Sequence, residues 1–246
     1  MNYDLKHLIK DKYEGNASLV TANDEQRLAS GEPLAYVIGW IPFLGLKIFL
    51  DSHPLIPRSE TEWWTEKLIE HLQIKYKDQA FSFLDLCAGS GAVGLAVLKH
   101  CPNAHVSFAE IVSEHSELIK KNIDANALDT SRADIHTGDL FIPLAGTTYD
   151  IIATNPPYIP EDRVLEKSVA EFEPAGALFA GADGLSIIRR IAKEVKAYIH
   201  NGSELWLETD TDSVTRSGEL LAQGGALLTL IQNDVYDRPR LVIAYY

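Results

Sequence analysis

Four residues of unusual composition, Asn155-Pro156-Pro157-Tyr158, directly follow the apolar run of residues 149–154. The side-chain carbonyl of Asn155 and the main-chain carbonyl of Pro156 can each accept one N–H bond of a planar NH2 group. Tyr158 adds a flat apolar wall with a polar tip. Because the lone pair of an amide or exocyclic amine is delocalised, such a nitrogen reacts only when it is held in line with a strong electrophile. We therefore predict that these four residues are catalytic and need neither a metal nor a side-chain nucleophile.

A glycine-rich segment follows an earlier apolar run, with Gly89, Gly91 and Gly94 in G-x-G-x-x-G spacing at the head of a predicted helix. Glycines at these positions let the backbone approach a ligand and let the helix N-terminus face it. The spacing suits the pyrophosphate of a dinucleotide and equally the methionine part of S-adenosylmethionine. By itself it does not choose between them.

Two acidic residues favour S-adenosylmethionine. Asp85 stands four residues before Gly89, where a carboxylate would repel a pyrophosphate but can organise the cationic amino group of a methionine moiety. Glu110 comes 19 residues after Gly91, at the place of a carboxylate that accepts both ribose hydroxyls. Asp139 would then lie beside the adenine amino group. The predicted cofactor-binding residues are Asp85, Cys87, Ala88, Gly89, Gly91, Glu110, Asp139, Leu140 and Asn155.

The elements that must position these residues alternate between short apolar runs and helix-length amphipathic segments, which is typical of a doubly wound α/β sheet. The predicted strands are residues 81–86, 105–110, 134–137, 149–154, 204–208, 226–231 and 241–246. Helices are predicted near residues 91–99, 113–126, 184–199 and 212–222. The link between the last two strands has no room for a crossover helix, so these strands should be antiparallel. This is the arrangement of the seven-stranded, Rossmann-like methyltransferases.

The N-terminal part of the chain, residues 1–58, is predicted to form two segments outside the sheet. Residues 1–30 are expected to form a short helical segment, and residues 31–58 a linker that contains a β-hairpin over residues 34–51. A helix should start at Glu60, with Ser59 as its N-cap. Residues 59–246 would form the remaining, sheet-containing domain.

Four segments resemble motifs of the HemK/PrmC family, the protein-(glutamine-N5) methyltransferases that act on peptide chain release factors. They are residues 31–46, 55–62, 85–94 and 155–158. The motif of residues 155–158 is shared with enzymes that methylate adenine or guanine in nucleic acids. The linker and the element Phe172-Glu173-Pro174 make the resemblance more specific, and it covers roughly residues 27–246.

The resemblance implies a class I fold and methyl transfer from S-adenosylmethionine to a glutamine side-chain amide, with S-adenosylhomocysteine as product. The expected target is the Gly-Gly-Gln loop of a class I release factor. The substrate-binding residues that it implies are Arg58, Asn155, Tyr158, Phe172, Glu173 and Pro174.

Two departures from the family pattern lead to further expectations. Cys87 stands where the cofactor motif often has glycine, a change that is tolerated if the backbone there adopts ordinary dihedral angles. The family also carries an N-terminal helical bundle that helps bind the release factor, whereas 30 residues precede Gly31 here. We therefore expect a reduced recognition segment.

Composition limits the classes of binding partner and the compartment that we expect for this chain. The formal charge is −13, from 22 basic and 35 acidic residues, which argues against extended nucleic-acid binding. The chain shows no secretory signal and no apolar run long enough to cross a bilayer, so a cytoplasmic protein is expected. The two cysteines have no partners at zinc-ligand spacing, and no metal site is predicted.

Several alternatives remain open from the sequence. The substrate could be a glutamine of a ribosomal protein, or a base of RNA or DNA. A chain of another class, which binds S-adenosylmethionine or NAD without catalysis, would carry the same glycine loop, although the intact residues 155–158 argue against it.

Overall fold

The computed structural model describes residues 3–246, and two helices form the front of this part of the chain. They are α1 (Tyr3–Tyr13) and α2 (Ala22–Ala29). A capping box begins α2, since the Thr21 hydroxyl accepts a hydrogen bond from the Asp24 N–H and the Asp24 carboxylate accepts one from the Thr21 N–H. Lys12 Nζ of α1 donates to the same buried carboxylate at 2.7 Å. Residues 1 and 2 of the predicted N-terminal segment lie outside the described residues.

The hairpin predicted for residues 34–51 is wrong in its first part. The segment contains the helix α3 (Leu34–Ile38), followed by the antiparallel strands β1 (Trp40–Phe43) and β2 (Leu46–Phe49). Gly39 ends α3 with a φ of +92°. The helix buries Tyr36, whose hydroxyl donates to the Pro54 carbonyl at 2.6 Å. Tertiary packing of this aromatic residue overrides the strand preference of the residue types.

The helix α4 (Ser59–Tyr76) begins one residue before the predicted start at Glu60, and Ser59 is not its N-cap. Arg58 takes that position with extended dihedral angles and no side-chain cap, and the Ser59 hydroxyl donates to the Glu60 carboxylate at 2.8 Å. Trp64, Leu68 and Leu72 recur every four residues and are buried in the core. This apolar face holds α4 against the sheet.

Seven strands form the central sheet. They are β3 (Phe81–Leu86), β4 (Ala104–Glu110), β5 (Ala133–Thr137), β6 (Tyr149–Thr154), β7 (Ile199–Glu208), β8 (Leu228–Asn233) and β9 (Pro239–Tyr245). Their spatial order is β5-β4-β3-β6-β7-β9-β8. The first five are parallel, and β9 runs antiparallel to both of its neighbours. The predicted doubly wound sheet with an antiparallel last strand is confirmed.

Helices connect the strands of this sheet along the chain. They are α5 (Ala92–His100), α6 (Ser113–Ala125), α7 (Lys167–Phe172), α8 (Ala175–Leu178), α9 (Ser186–Glu194) and α10 (Val214–Gln223). The short α7 and α8 escaped the sequence analysis. The strand β3 is buried on both sides, with Phe83 in one core cluster and Leu84 in the other, as expected for a central parallel strand. Among residues 3–246, no helix has the length and apolar character that a membrane crossing requires.

The strand order places a topological switch between β3 and β6. From β3 the chain continues to β4 and β5 on one side, whereas β6 leads to β7 on the other. At such a point, loops leaving adjacent carboxyl ends diverge and leave a crevice. The crevice at this switch point therefore lies where the glycine loop leaves β3 and residues 155–158 leave β6.

Candidate functional site

A cleft of about 300 Å³ opens at the carboxyl ends of β3, β4, β5 and β6. The loops after all four strands contribute to its wall. Every residue predicted to bind a cofactor lines it except Gly91; these are Asp85, Cys87, Ala88, Gly89, Glu110, Asp139, Leu140 and Asn155. Gly91 instead serves as the N-cap of α5, with a φ of +80°.

Asp85 is a buried acid in the wall of this cleft. Its Oδ2 accepts a hydrogen bond from the Gly94 N–H at 2.8 Å. The helix can approach this closely because residue 94 is glycine, since a Cβ there would lie 2.4 Å from the Phe108 ring. Burial raises the pKa of Asp85 to about 8. A cation entering the cleft would favour the ionised carboxylate.

The turn that leaves β3 is held by the backbone. Ala88 N–H donates to the Ala109 carbonyl at 3.1 Å, and Gly91 N–H donates to the Ala88 carbonyl at 2.7 Å. The condition under which Cys87 would be tolerated without cost, ordinary dihedral angles, is not met, since its φ is +61°. The sharp turn imposes this left-handed conformation, which disfavours any side chain. Cys87 therefore carries strain that glycine would not.

Glu110 is fixed by two main-chain donors at the end of β4. Its Oε2 accepts from the Gly89 N–H at 2.7 Å and its Oε1 from the Val112 N–H at 2.9 Å. Each carboxylate oxygen keeps a further lone pair. The buried carboxylate can therefore accept two hydroxyl groups of a diol from the cleft.

Asp139 lines the cleft but is already paired. Arg190 of α9 donates to its two oxygens at 3.0 and 2.9 Å, in a bidentate ion pair. The carboxylate retains acceptor capacity for a ligand amino group. Leu140 and Ile111 add apolar wall, and Ile111 is 63% exposed at the mouth.

A second cavity, of about 80 Å³, adjoins the cleft. Arg58, Asn155, Pro156 and Tyr158 line it, whereas Pro157 lines the larger cleft. Asn155 belongs to the wall of both cavities. The loop 155–158 thus forms the boundary between them.

The other predicted substrate-binding residues are not all at this cavity. Glu173 is buried and accepts from Arg58 at 2.5 Å and from the Ile56 N–H at 3.2 Å. Pro174 lines the larger cleft. Phe172 packs against the hydrophobic core and lines neither cavity. The contacts of Glu173 tie the element 172–174 to the segment before α4.

Thr61 and Glu208 are two further residues at this site for which the sequence predicted no role. Glu208 lies at the end of β7 with 1% exposure and accepts hydrogen bonds from the Thr61 hydroxyl at 2.7 Å and the Trp64 indole at 2.5 Å. The Tyr158 hydroxyl donates to its other oxygen at 3.3 Å, and Asn155 Nδ2 donates to Thr61 at 3.2 Å. A Glu that ends an apolar strand was the available signal. Nothing in the sequence pairs it with Thr61.

His115 is another cleft residue that the sequence analysis missed. It sits in the first turn of α6, and its Nδ1 is 2.7 Å from the Ser52 hydroxyl. Burial lowers its pKa, so the imidazole is neutral at pH 7. Its position on a helix of ordinary pattern gave no signal.

Metal-binding geometry is missing from the described part of the chain. Across residues 3–246, no three His, Cys, Asp or Glu side chains are arranged to hold a metal ion.

A family model described as the methyltransferase small domain matches residues 58–183. Among curated proteins, the chain is 38% identical over 178 residues to a release factor glutamine methyltransferase of Chlamydia trachomatis serovar L2. That match covers 72% of this chain and 59% of the relative, so the chain spans less than two thirds of the relative's length. A protein of the same name from Mycolicibacterium smegmatis is 32% identical over 86% of this chain and 74% of its own length.

A third relative carries a different name. The chain is 31% identical to a ribosomal protein uL3 glutamine methyltransferase of Bradyrhizobium diazoefficiens, over 94% of this chain and 75% of that protein.

Solved structures share the fold. The hMettl16 catalytic domain, solved in complex with MAT2A 3'UTR hairpin 1, aligns with a TM-score of 0.62 and 18% identity over 98% of this chain and 87% of its own. A methyltransferase from Pyrococcus furiosus aligns with a TM-score of 0.58 and 15% identity, over 92% of this chain and 98% of its own. At these identities the likeness concerns architecture alone.

Proposed function

Because the chain belongs to the HemK/PrmC family of glutamine methyltransferases, we propose that it methylates the side-chain amide nitrogen of a glutamine in a protein. The proposed target is the Gly-Gly-Gln loop of a class I release factor in the cytoplasm, following the names of the relatives from Chlamydia and Mycolicibacterium. The observation that carries the proposal is the position of Asn155, which borders both the large cleft and the small cavity. A donor in one and a glutamine in the other would meet at this residue.

S-adenosylmethionine fits the groups around the cleft. Asp85 would hold the amino group of the methionine part, and Glu110 the ribose hydroxyls. Leu140 and Ile111 would flank the adenine, with Asp139 as the acceptor for its amino group. When bound, this cofactor supplies an electrophilic methyl group on a cationic sulfur and leaves as S-adenosylhomocysteine.

The residues of the chain would act on the glutamine by orientation. The Asn155 side-chain carbonyl and the Pro156 main-chain carbonyl each accept one N–H of the target amide, and Tyr158 packs beside it. Both acceptors gain strength as positive charge develops on the nitrogen. The fixed φ of Pro156 and Pro157 keeps this loop stiff, so little reorganisation is needed.

A second candidate substrate is a glutamine of a ribosomal protein. The observation that favours it is the coverage of the Bradyrhizobium relative, whose match extends over 94% of this chain. The chemistry at Asn155 would be the same for both proteins. The difference would lie in how the partner docks.

A methyl-transfer assay on a panel of acceptors tests the proposal. Labelled S-adenosylmethionine is incubated with a purified release factor, ribosomal protein uL3, RNA or DNA. We expect label in the release factor, and none when its Gly-Gly-Gln glutamine is replaced by alanine. Label confined to uL3 would favour the second candidate, and label in nucleic acid alone would refute both.

The Asn155→Ala variant links the activity to this site. It should bind S-adenosylmethionine almost as the parent does, because other residues supply the contacts proposed for the cofactor. Methyl transfer should be lost. Full activity of this variant would contradict the mechanism.

A further inference from the structure

The buried carboxylate of Glu208 lies behind the loop 155–158 and receives donors from two elements. The Thr61 hydroxyl and the Trp64 indole, one turn apart on α4, both donate to Oε2 at 2.7 and 2.5 Å. The Tyr158 hydroxyl donates to Oε1 at 3.3 Å. Glu208 therefore connects α4 to the loop that borders both cavities.

The direction of the hydrogen bonds at Oε2 is fixed by chemistry. An indole N–H can only donate, and a carboxyl oxygen that takes donors from Trp64 and Thr61 has both of its lone pairs occupied. The ionised carboxylate of Glu208 has no proton to donate, so its Oε2 accepts from both groups. The Thr61 hydroxyl therefore donates its proton to Glu208 and to no other acceptor.

The direction of the Thr61 hydrogen bond determines the direction of the one between Thr61 and Asn155. With its proton engaged, Thr61 Oγ1 can only accept, and the atom 3.2 Å away must be the NH2 of Asn155. Were the Asn155 amide turned over, two oxygens without a proton between them would face each other. Asn155 Oδ1 is therefore held on the opposite side, where it accepts no hydrogen bond from the described residues.

We propose that Glu208, acting through Thr61, fixes the orientation of the Asn155 amide so that its carbonyl oxygen faces the substrate nitrogen. Thr61 and Glu208 are positioning residues in this relay. The role of the relay in catalysis rests on the proposed function, whereas the orientation itself does not. Without the relay, Asn155 can present an NH2 group that repels the NH2 of the target.

The closest test is the Thr61→Val substitution, which keeps the shape of the side chain but removes the hydroxyl. We expect kcat for methyl transfer to fall about tenfold or more, with KM for S-adenosylmethionine within about twofold of the parent. Thr61→Ser keeps the hydroxyl and should restore kcat. Thr65→Val is the matched control, because the buried Thr65 hydroxyl donates only to the Thr61 main-chain carbonyl, at 2.7 Å.

NMR of side-chain amide groups reports on the orientation of the Asn155 amide and does not depend on methyl transfer. The Asn155 NH2 signals are identified by their loss in Asn155→Ala. We expect Thr61→Val to shift them and speed their exchange with solvent, while Thr61→Ser and Thr65→Val leave them near the parent positions. Unchanged Asn155 signals in Thr61→Val would overturn the relay.

The two readouts separate the proposals. If the parent protein methylates no protein glutamine, the proposed function fails, and the NMR comparison still decides the relay. If transfer occurs but Thr61→Val and Thr65→Val reduce kcat equally, the relay is refuted and the proposed function stands.

Discussion

Asp85 holds a proton in the cleft at neutral pH, because burial raises its pKa to about 8. Binding of a cationic amino group favours the carboxylate, so part of the binding free energy at lower pH must remove that proton. His115 also lines the cleft, and burial lowers its pKa below the usual value of 6.5. The pH dependence of cofactor binding should therefore report mainly on Asp85.

We predict that affinity for S-adenosylmethionine rises with pH between about 6 and about 8 and then levels off. Calorimetry across this range measures it. Asp85→Asn should bind weakly with no such rise, because an amide does not ionise. Asp134→Asn, at an exposed carboxylate on β5, should keep the parent profile. A parent affinity that is flat with pH would contradict this account of Asp85.

Cys87 gives a stability prediction at the same turn. Its φ of +61° costs a side chain about 1 kcal/mol or more, and a β-branched side chain costs further. We expect Cys87→Gly to unfold at the parent's denaturant midpoint or above it, and Cys87→Val to lose about 2 kcal/mol.

A substitution at Cys101 provides the control for the two Cys87 variants. It is buried, but its φ of −119° accepts β-branched side chains. Cys101→Val should therefore be much less destabilised than Cys87→Val. Equal losses in the two valine variants would show that volume, not backbone conformation, sets the cost.

The sequence predicted those residues of the cleft wall that lie at or next to the carboxyl end of a strand. Asp85, Glu110 and Asn155 line the cleft together because strand ends converge in a parallel sheet. Thr61 and Glu208 are 147 residues apart, and their hydrogen bond depends on how α4 packs across β7. Spacing along the chain carries no information on such a contact.

At the scale of elements, β7 carries two buried glutamates that contact α4 and whose pKa values shift in opposite directions. Glu204 and Glu208 point to the same face of β7, four residues apart. His71 and Lys75 of α4 donate to Glu204 at 3.0 and 2.7 Å. Although burial opposes it, these contacts bring the pKa of Glu204 to about 2. Burial dominates at Glu208, which has neutral donors, and raises its pKa.

The Glu204 contacts should stabilise the protein in a defined pH window. Because the pKa is depressed in the folded state, the stabilisation is full above the unfolded value of 4.5 and is lost as pH falls towards about 2. Glu204→Gln should lower the free energy of unfolding by about 2 kcal/mol at pH 7, a difference that shrinks below pH about 4. Chemical denaturation of both proteins from pH 3 to 7 measures this.

Glu70→Gln is the control, since Glu70 forms an exposed ion pair with Lys67 on the same helix. It should change stability little at any pH. A loss at Glu204 that is independent of pH would assign the effect to packing.

The loop before α9 should support the loop 155–158 through Gly184. A Cβ there would lie 2.3 Å from the Tyr158 carbonyl oxygen. We predict that Gly184→Ala displaces the loop 155–158 and lowers kcat about tenfold or more. Methyl-transfer kinetics and the affinity for S-adenosylmethionine measured together would check this.

Gly181 is the matched control in the same loop. Its φ of +77° is close to the +71° of Gly184, but a Cβ would meet only Ser186 at 3.4 Å. Gly181→Ala should share the backbone strain and spare kcat. Equal effects on kcat would attribute the loss to strain alone.

The elements themselves were predicted where periodicity is strong. The strands and long helices of the sheet followed from alternating apolar runs, and the antiparallel last pair from its short connection. The helix α3 did not, because Tyr36 reaches the Pro54 carbonyl only in the folded chain. The helices α7 and α8 are too short for a periodic signal.

At the scale of the whole molecule, charge bears on the choice of substrate. A net charge of −13 opposes the counterion release that drives binding to RNA or DNA. The cleft itself is walled by Asp85, Glu110 and Asp139, which suits a cationic cofactor. The net charge favours a glutamine on a protein over a base as the acceptor, whereas the acidic cleft bears only on the cofactor.

Tandem mass spectrometry of a release factor treated with the protein and S-adenosylmethionine tests the central claim most directly. The account predicts one added methyl group on the side-chain nitrogen of the Gly-Gly-Gln glutamine, and none with Asn155→Ala. A methyl group on another residue type, or equal methylation by Asn155→Ala, would contradict it.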